Sequence, residues 1–497
     1  MRSNALYLTL LTTTKGYQQF LKIKQLPRYK FTGRLAWFPD EYASRLGVKP
    51  DTKRKRKYSP PEWMMDYQRG ITEIAIRKQK YCVFADCGMG KTPILLEYAR
   101  YAHQQTGKPG LIVSPLMVIC QTISEAKKFY GNKYKIEQVS AKDLPSFLEK
   151  GDGIGITNYE AIKDDLDASR LGCLSLDESS LLKSHYGKWG TKLIEMGKGI
   201  PYKLACTGTP APNDRIEYAN HAVFMDSFPT VNSFLAKFFI NRGETSERWE
   251  LKAHAVKAFY LALSDWSIFL VNPATYGWKD NTKELPPIVV SVEDVGLTSD
   301  QTMIAKGYNK SLFAGMETGG IVSRSKMGQL AKGKYNGKRI DTLKPDYIAE
   351  LCSRFEDESR IIWCKYNDEQ DRLAELMPDA GNIDGSTPVD ERQNIVKRFQ
   401  AGELKTIISK PKIMGFGLNL QSCTRMIFSG LHDSYEEYYQ AVKRANRYGS
   451  TKPLHVHIPV TELERPMVDN VLRKAVNVQK DTEQQERIFK ELGHAVN

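Results

Sequence analysis

Short apolar runs alternate with amphipathic stretches along most of the chain, a pattern that predicts parallel sheets covered by helices on both faces. From Trp63 to about Ser227, the runs Tyr81 to Ala85, Leu111 to Ser114, Ile154 to Ile156, Leu174 to Leu176 and Leu204 to Cys206 read as buried strands. A helical pattern from Thr92 to Ala102 follows the first of them. A second alternating region runs from about Asp346 to Val460, with strands at Arg360 to Cys364, Thr406 to Ser409, Arg425 to Phe428 and Leu454 to His457. Between the two, Phe228 to Leu285 is rich in aromatics and alanine, is helically patterned over Val256 to Phe269, and shows no strand alternation. It reads as a helical insertion, closed by the chain-breaking Leu285-Pro286-Pro287 and a strand-like Ile288 to Val292. The expected fold is therefore α/β: a small N-terminal α+β domain and basic linker (1–60), a first parallel-sheet lobe (61–227), an insertion and connector (228–345), a second lobe (346–460) and a helical extension (461–497).

Composition narrows the class. A chain of 497 residues, 41% apolar and 26% charged, has the make-up of a folded protein with room for two cores. Its net charge of +14 attracts polyanions, of which nucleic acid is the commonest large one. The eight cysteines stand singly, without a CxxC pair, so neither a zinc site nor a disulfide framework is predicted. Free thiols, no apolar run of membrane-spanning length and no cleavage signature in MRSNALYLTLLTTT point to the cytoplasm, with no membrane partner. The run Lys53 to Lys57, followed by Ser59-Pro60-Pro61, reads as a solvated linker or as a nuclear localisation signal.

The chemistry concentrates in ADCGMGKT, Ala85 to Thr92. Aiming several backbone N–H groups at one phosphate requires conformations that side chains obstruct, hence Gly88 and Gly90 flanking Met89 between a strand and a helix. Lys91 supplies a point charge for the β- and γ-phosphates of ATP, and the Thr92 hydroxyl a ligand for Mg2+. A glycine-rich turn with a surface lysine is the plainer alternative. Such a cradle needs a carboxylate site at another strand end, and Asp177-Glu178 offers one: Asp177 for Mg2+, Glu178 to position and deprotonate the attacking water. Gln68, upstream, is placed to read an adenine edge, or is simply an exposed helix glutamine.

The ordered series resembles the superfamily 2 helicase-type ATPases (the DEAD/DEAH class), and specifically their Swi/Snf-like branch. Asp66-Tyr-Gln-Arg-Gly70 is similar to the Q motif, ADCGMGKT to motif I, Ile112 to Pro115 to motif Ia and Ile156 to Glu160 to motif Ib. Asp177 to Ser180 occupies motif II, with Lys183 at the family spacing, and Thr207 to Asn213 resembles motif III. In the second lobe, Ile383 to Thr387 with Glu391-Arg392 and Arg398-Phe399, Gly415 to Leu420 and Gln440 to Gly449 resemble the DGST segment, motif V and motif VI. The connector from Leu285 to Gln301 is similar to the family's inter-lobe linker. Motif II reads DESS rather than DEAH, and motif VI ends in Ser450 where glutamine is common. The short insertions resemble those of compact phage and bacterial members. Residues 23–39, IKQLPRYKFTGRLAWFP, resemble the small domain of HARP-type annealing helicases.

The resemblance implies two RecA-like lobes with ATP and Mg2+ in their cleft, where Gly415, Gly417 and Gln440 join the nucleotide contacts and Arg444 and Arg447 act from the second lobe on the γ-phosphate. It implies DNA, duplex or branched, across a track served by Ser114, Pro115, Thr157, Asn158, Lys183, Lys365, Ser409 and Lys410. The N-terminal segment would read branched or single-stranded DNA by aromatic stacking, or would pack as a small hairpin domain. The expectation is an ATP-dependent DNA translocase of bacterial or phage-infected cytoplasm, with remodelling or annealing as output, no small-molecule substrate besides ATP and no required oligomer. A strand-separating helicase, an RNA-directed enzyme and a catalytically silent DNA-binding scaffold are its rivals.

Overall fold

A computed structural model describes residues 5–491 apart from 27, 40–41, 44–45, 49–57, 165, 184–186, 213, 244–248, 280–284, 314–319, 415–419, 432–433 and 448. The basic run Lys53 to Lys57, Asn213, and Gly415 and Gly417 lie outside the described residues.

Two all-parallel sheets organise the chain. The first has seven strands in the order Ser267–Leu270, Lys80–Ala85, Tyr202–Thr207, Cys173–Asp177, Gly110–Ser114, Ile154–Asn158 and Ile136–Gln138. The second has six: Ile288–Asp294, Leu454–Val460, Arg425–Phe428, Arg360–Trp363, Thr406–Ser409 and Gly381–Ile383. The central strands are buried almost throughout, because helices cover both faces and leave no solvated side for an alternating pattern. Since every strand in a lobe runs the same way, the loops that follow Ala85, Ser114, Asn158, Asp177 and Thr207 all leave from one edge of the first sheet. That shared edge is where a parallel α/β sheet builds its sites.

Two boundaries differ from the sequence reading. The segment read as a strandless insertion contains helices Val231–Phe238 and Val256–Trp266, but its Ser267–Leu270 is the edge strand of the first sheet, paired in register with Cys82 to Ala85. Ser-Ile-Phe-Leu is only four residues long and buried on both faces, so it carries no alternation and extends the preceding apolar helix pattern without a break. The connector strand Ile288–Asp294 likewise belongs to the second sheet, paired with Leu454–Val460. The first lobe thus extends past 227, and the second begins well before 346.

The N-terminal residues form a three-stranded antiparallel sheet, Ala5–Thr9, Lys30–Thr32 and Leu35–Pro39, with helix Thr14–Lys24. Ile23, Leu26, Ala36, Phe38 and Tyr42 make its small core. It is fastened to the first lobe where the Tyr42 hydroxyl donates to Asp265 Oδ1 at 2.8 Å, beside Lys78 Nζ at 3.0 Å from the same oxygen. The C-terminal helix Arg465–Glu491 starts with Val468 and Val471 in the second lobe's core and ends on the first lobe. There Glu486 accepts from the N–H groups of Val271 (2.8 Å) and Asn272 (3.2 Å), and Gln485 donates to the Tyr218 hydroxyl (3.3 Å). Among the described residues, no helix is long and apolar enough to cross a membrane.

Candidate functional site: a cleft between two lobes

The cradle sits between strand Lys80–Ala85 and helix Lys91–Thr106. Gly88 and Gly90 have φ of 85° and 58°, the left-handed region that L side chains avoid. A Cβ on Gly90 would stand 2.2 Å from Gln68 Nε2, so a side chain there would displace the Gln68 amide from the turn. Gln68 and its neighbour Tyr67 lie on helix Asp66–Lys78 and hold the turn: Gln68 Nε2 donates to the Gly90 carbonyl at 3.2 Å, and the Tyr67 hydroxyl to Met89 at 3.2 Å. Gln68 is buried, not the exposed glutamine of the plainer reading, and its amide bonds to the cradle itself.

The chemistry gathers around Lys91. Its Nζ lies 3.1 Å from the Ala85 carbonyl and 4.0 Å from Glu178 Oε1. Burial alone would lower the Lys91 ammonium, but Glu178, Cys87, Asp177 and Asp86 around it hold it above its ordinary value. Burial, with Glu178 adding to it, raises the Asp177 carboxyl against the pull of Lys91 and of the Ser114 hydroxyl 3.2 Å away. Two carboxylates sharing a pocket with one lysine suit a hard divalent cation with oxygen ligands. Such a cation would relieve their repulsion, so the donor set fits Mg2+ bound with ATP. Glu178 is held at φ 51°, a strained conformation for a non-glycine residue, and its Oε2 accepts from the Thr207 hydroxyl at 3.3 Å. That bond ties the carboxylate to the start of the Thr207–Pro210 segment.

The second lobe reaches this pocket along one helix, Tyr435–Ala445. Arg444 is buried among charges from both lobes: burial and the neighbouring Arg447 push it down to about 10, against the attraction of Cys87 and Glu178. Arg447 is half-buried just beyond the helix. Its N–H donates to Ser450 Oγ at 3.2 Å while that hydroxyl donates to the Ala445 carbonyl at 2.5 Å, so the serine at the end of the motif closes the turn behind the arginines. Gln440 is buried and donates to Glu436 Oε1 at 3.4 Å. It faces the seam between the lobes.

Several contacts here escaped the sequence reading. Glu436 is bridged to the first lobe by Lys183 and by the Thr209 hydroxyl at 3.2 Å. Asp86, inside the cradle, accepts from the Tyr439 hydroxyl and from Lys443 Nζ at 2.9 Å. His221, buried beneath motif II, lies 3.1 Å from Ser179 Oγ and is pushed down to about 4 by burial. The available signal was the helical spacing of 436, 439, 440, 443 and 444, which puts these side chains on one face. A sequence does not say what that face meets.

The residues expected along the nucleic-acid track are placed as follows. Ser114, Thr157 and Ser409 are fully buried. Their hydroxyls bond inward, to Asp177, to the Val139 carbonyl (2.7 Å) and to the Ile383 carbonyl (2.7 Å), because small hydroxyls at the ends of parallel strands are close enough to tie neighbouring elements. Lys183 is paired with Glu436, Lys365 lies 3.4 Å from Glu437 Oε2, Lys410 bonds Asn367, and Asn158 donates to Glu160 at 2.8 Å. Pro115 is half-buried. Four of the eight therefore carry polar groups that would exchange protein partners for phosphates, and three present no free group.

Comparison with known proteins adds the following. The helicase conserved C-terminal domain matches residues 343–449. The Bacillus subtilis protein YwqA, described as an ATP-dependent helicase/translocase, is 23% identical over 76% of this chain and 44% of its own length. The ATP-dependent DNA helicase DDM1 of Arabidopsis thaliana is 22% identical over 74% of this chain and 55% of its own. The ATP-dependent helicase FUN30 of Saccharomyces cerevisiae is 23% identical over 84% and 47%. The chain thus spans about half the length of the curated relatives it matches. A solved structure, the Sulfolobus solfataricus SWI2/SNF2 ATPase core in complex with dsDNA, covers 88% of this chain and 98% of that one at 19% identity, with a TM-score of 0.37.

Proposed function

We propose, from the premise that this chain is a Swi/Snf-like superfamily 2 helicase-type ATPase, that it hydrolyses ATP in the cleft between its lobes and uses the cycle to move along DNA. The observation that carries this reading is the docking of the Arg444-bearing helix on the cradle, with Lys443 bonded to Asp86 and Glu436 to Thr209, which brings Arg444 within electrostatic reach of Glu178 and Cys87. In that reading the glycine turn and Lys91 bind the β- and γ-phosphates, while Thr92 and Asp177 would hold Mg2+, which shields phosphate charge. Glu178 takes the proton of the attacking water. Arg444 and Arg447 offset charge that builds on the outer phosphate, a role worth roughly 10³–10⁵ in rate. The Glu178–Thr207 bond and the Thr209–Glu436 bond give the carboxylates a path to both lobes, so opening and closing is coupled to turnover.

Duplex DNA is the proposed track, and the N-terminal domain the proposed reader of branched or single-stranded regions. Tyr7 and Tyr17 are 65% and 61% exposed there, among lysines and arginines. The deciding experiment is steady-state ATP hydrolysis with no polymer and with duplex, single-stranded and forked DNA and RNA, in wild type and Glu178→Gln. Stimulation by duplex or forked DNA that is abolished in the mutant supports the translocase. Stimulation by single strands alone favours strand separation, and tight DNA binding without turnover leaves a scaffold.

A further inference from the structure

The second lobe's arginines need a register: they must arrive at the cradle with the right rise and rotation along their helix. The contacts of Asp86 provide one. Asp86 directly follows the cradle strand, where its own N–H donates to the Leu270 carbonyl at 2.9 Å and its Oδ1 accepts from the N–H of Cys87 at 2.6 Å. The carboxylate is thereby fixed by the backbone on the first-lobe side. On the other side it takes the Tyr439 hydroxyl on Oδ1 and the Lys443 ammonium on Oδ2. Tyr439 and Lys443 are four residues apart on helix Tyr435–Ala445, one above the other on the face that meets the first lobe. Two donors one turn apart, gripping one fixed carboxylate, set both the translation and the rotation of the helix. Arg444 follows Lys443 directly.

We infer that Asp86, Tyr439 and Lys443 form a docking pin that registers the arginine-bearing helix on the phosphate cradle, so that these three are positioning residues for catalysis rather than nucleotide ligands. This rests on the ATPase reading above and assigns a role to three side chains that the reading does not use. The pin is largely desolvated: Asp86 is buried, Tyr439 is partly buried against the second lobe's core, and Lys443 is four-fifths covered. Burial would raise the Asp86 carboxyl, yet Lys443 and the hydrogen bonds from Tyr439 and Lys443 keep it below its ordinary range. A charge pair in that setting is worth little over two apolar groups but much over a broken pair, so losing one partner releases the helix.

The test is a double-mutant cycle on the full chain: Lys443→Met, Asp86→Asn and both together, with Lys443→Arg as the conservative control. Two readouts accompany it, polymer-stimulated ATP turnover and the distance between dyes placed on the two lobes. The pin predicts that each single change lowers kcat about ten- to a hundred-fold with KM for ATP within about two-fold, because only an interaction serving the reacting geometry is lost. It predicts that the double variant is no slower than the worse single, that Lys443→Arg keeps most of the rate, and that Lys443→Met widens the inter-lobe distance. Multiplicative losses, a raised KM at unchanged kcat, or an unmoved dye distance would overturn it. If wild type itself shows no turnover with any polymer, the motor reading fails, and the dye distance still decides whether the pin holds the lobes. Retained melting temperature in Lys443→Arg and Asp86→Asn separates loss of register from loss of fold.

Discussion

Ionisable side chains buried without water must be settled by their neighbours, and this chain buries several. Glu464 lies fully enclosed between Lys332, 2.6 Å from its Oε2, and Lys344 on its other oxygen. The buried Glu369 carboxylate also acts on both ammoniums, and burial lowers the Lys344 ammonium despite Glu464. Removing the carboxylate would strand both lysines. Glu464→Gln is expected to cost roughly 3–5 kcal/mol in urea unfolding, in the range for breaking a buried pair from one side. An equal loss of under about 1 kcal/mol, as at an exposed pair, would show the triad to be hydrated. His221 makes a pH-dependent counterpart in the first lobe. Its folded pKa of about 4 lies below the unfolded value of roughly 6.5. Its contribution is therefore complete above about 6.5 and is lost as pH falls through 4, at most about 3 kcal/mol. Asp177 acts with the opposite sign: a raised carboxyl gains relative stability as pH falls, so the two partly cancel in wild type. The clean measurement is the difference between wild type and His221→Gln in urea stability at pH 8 and pH 5. The variant should lose the histidine's slope and leave the protein relatively more stable in acid, and parallel curves would mean that His221 titrates in the fold as it does in the unfolded chain.

At the scale of elements, what was legible depended on whether the signal was local. The glycine turn, the strand before it and the helix after it follow from residues within ten positions of one another, and the structure places them at Lys80–Ala85, Gly88 to Gly90 and Lys91–Thr106. Ser267–Leu270 was missed because a four-residue strand buried on both faces has no period of its own. The end of the C-terminal helix was legible as helix but not as a bridge, since nothing local says that Glu486 meets Val271 and Asn272 across 214–215 positions of sequence. That bridge has a consequence. One helix rooted in the second lobe by Met467, Val468 and Val471 and tied to the first by Gln485 and Glu486 restrains the distance between lobes. It also walls a cavity of about 140 Å³ shared with Phe84, Thr209 and Tyr439. Glu486→Ala removes the acceptor of two backbone N–H groups and should detach the helix end, raising amide exchange over 480–491 without changing the second lobe. Unchanged exchange there would mean that Ile488 and the apolar contacts alone hold it.

At the scale of the whole molecule, the positive charge is not spread evenly. The first 39 residues contain seven lysines and arginines and no aspartate or glutamate, half of the net +14, while the remaining chain is close to ordinary. The same short domain exposes Tyr7, Leu11, Tyr17, Leu21 and Leu35. Its anchor through Tyr42 and Asp265 is to the first lobe. Cations and aromatics contribute to a nucleic-acid contact in separable ways: cations release counterions and set the salt dependence, whereas stacking changes affinity at every salt concentration. Lys22→Gln with Lys24→Gln should therefore lower the slope of log affinity against log salt by about 1.4 for a single strand, at roughly 0.7 per phosphate contact. Tyr17→Ala should weaken binding by about 1–3 kcal/mol with the slope unchanged. Both variants should keep wild-type ATP hydrolysis in the absence of polymer, because neither touches the cleft. Fluorescence titration of a labelled single strand against salt decides it. If both variants move slope and affinity together, or neither does, the domain is not a stacking surface and its charge serves only to draw the protein to DNA.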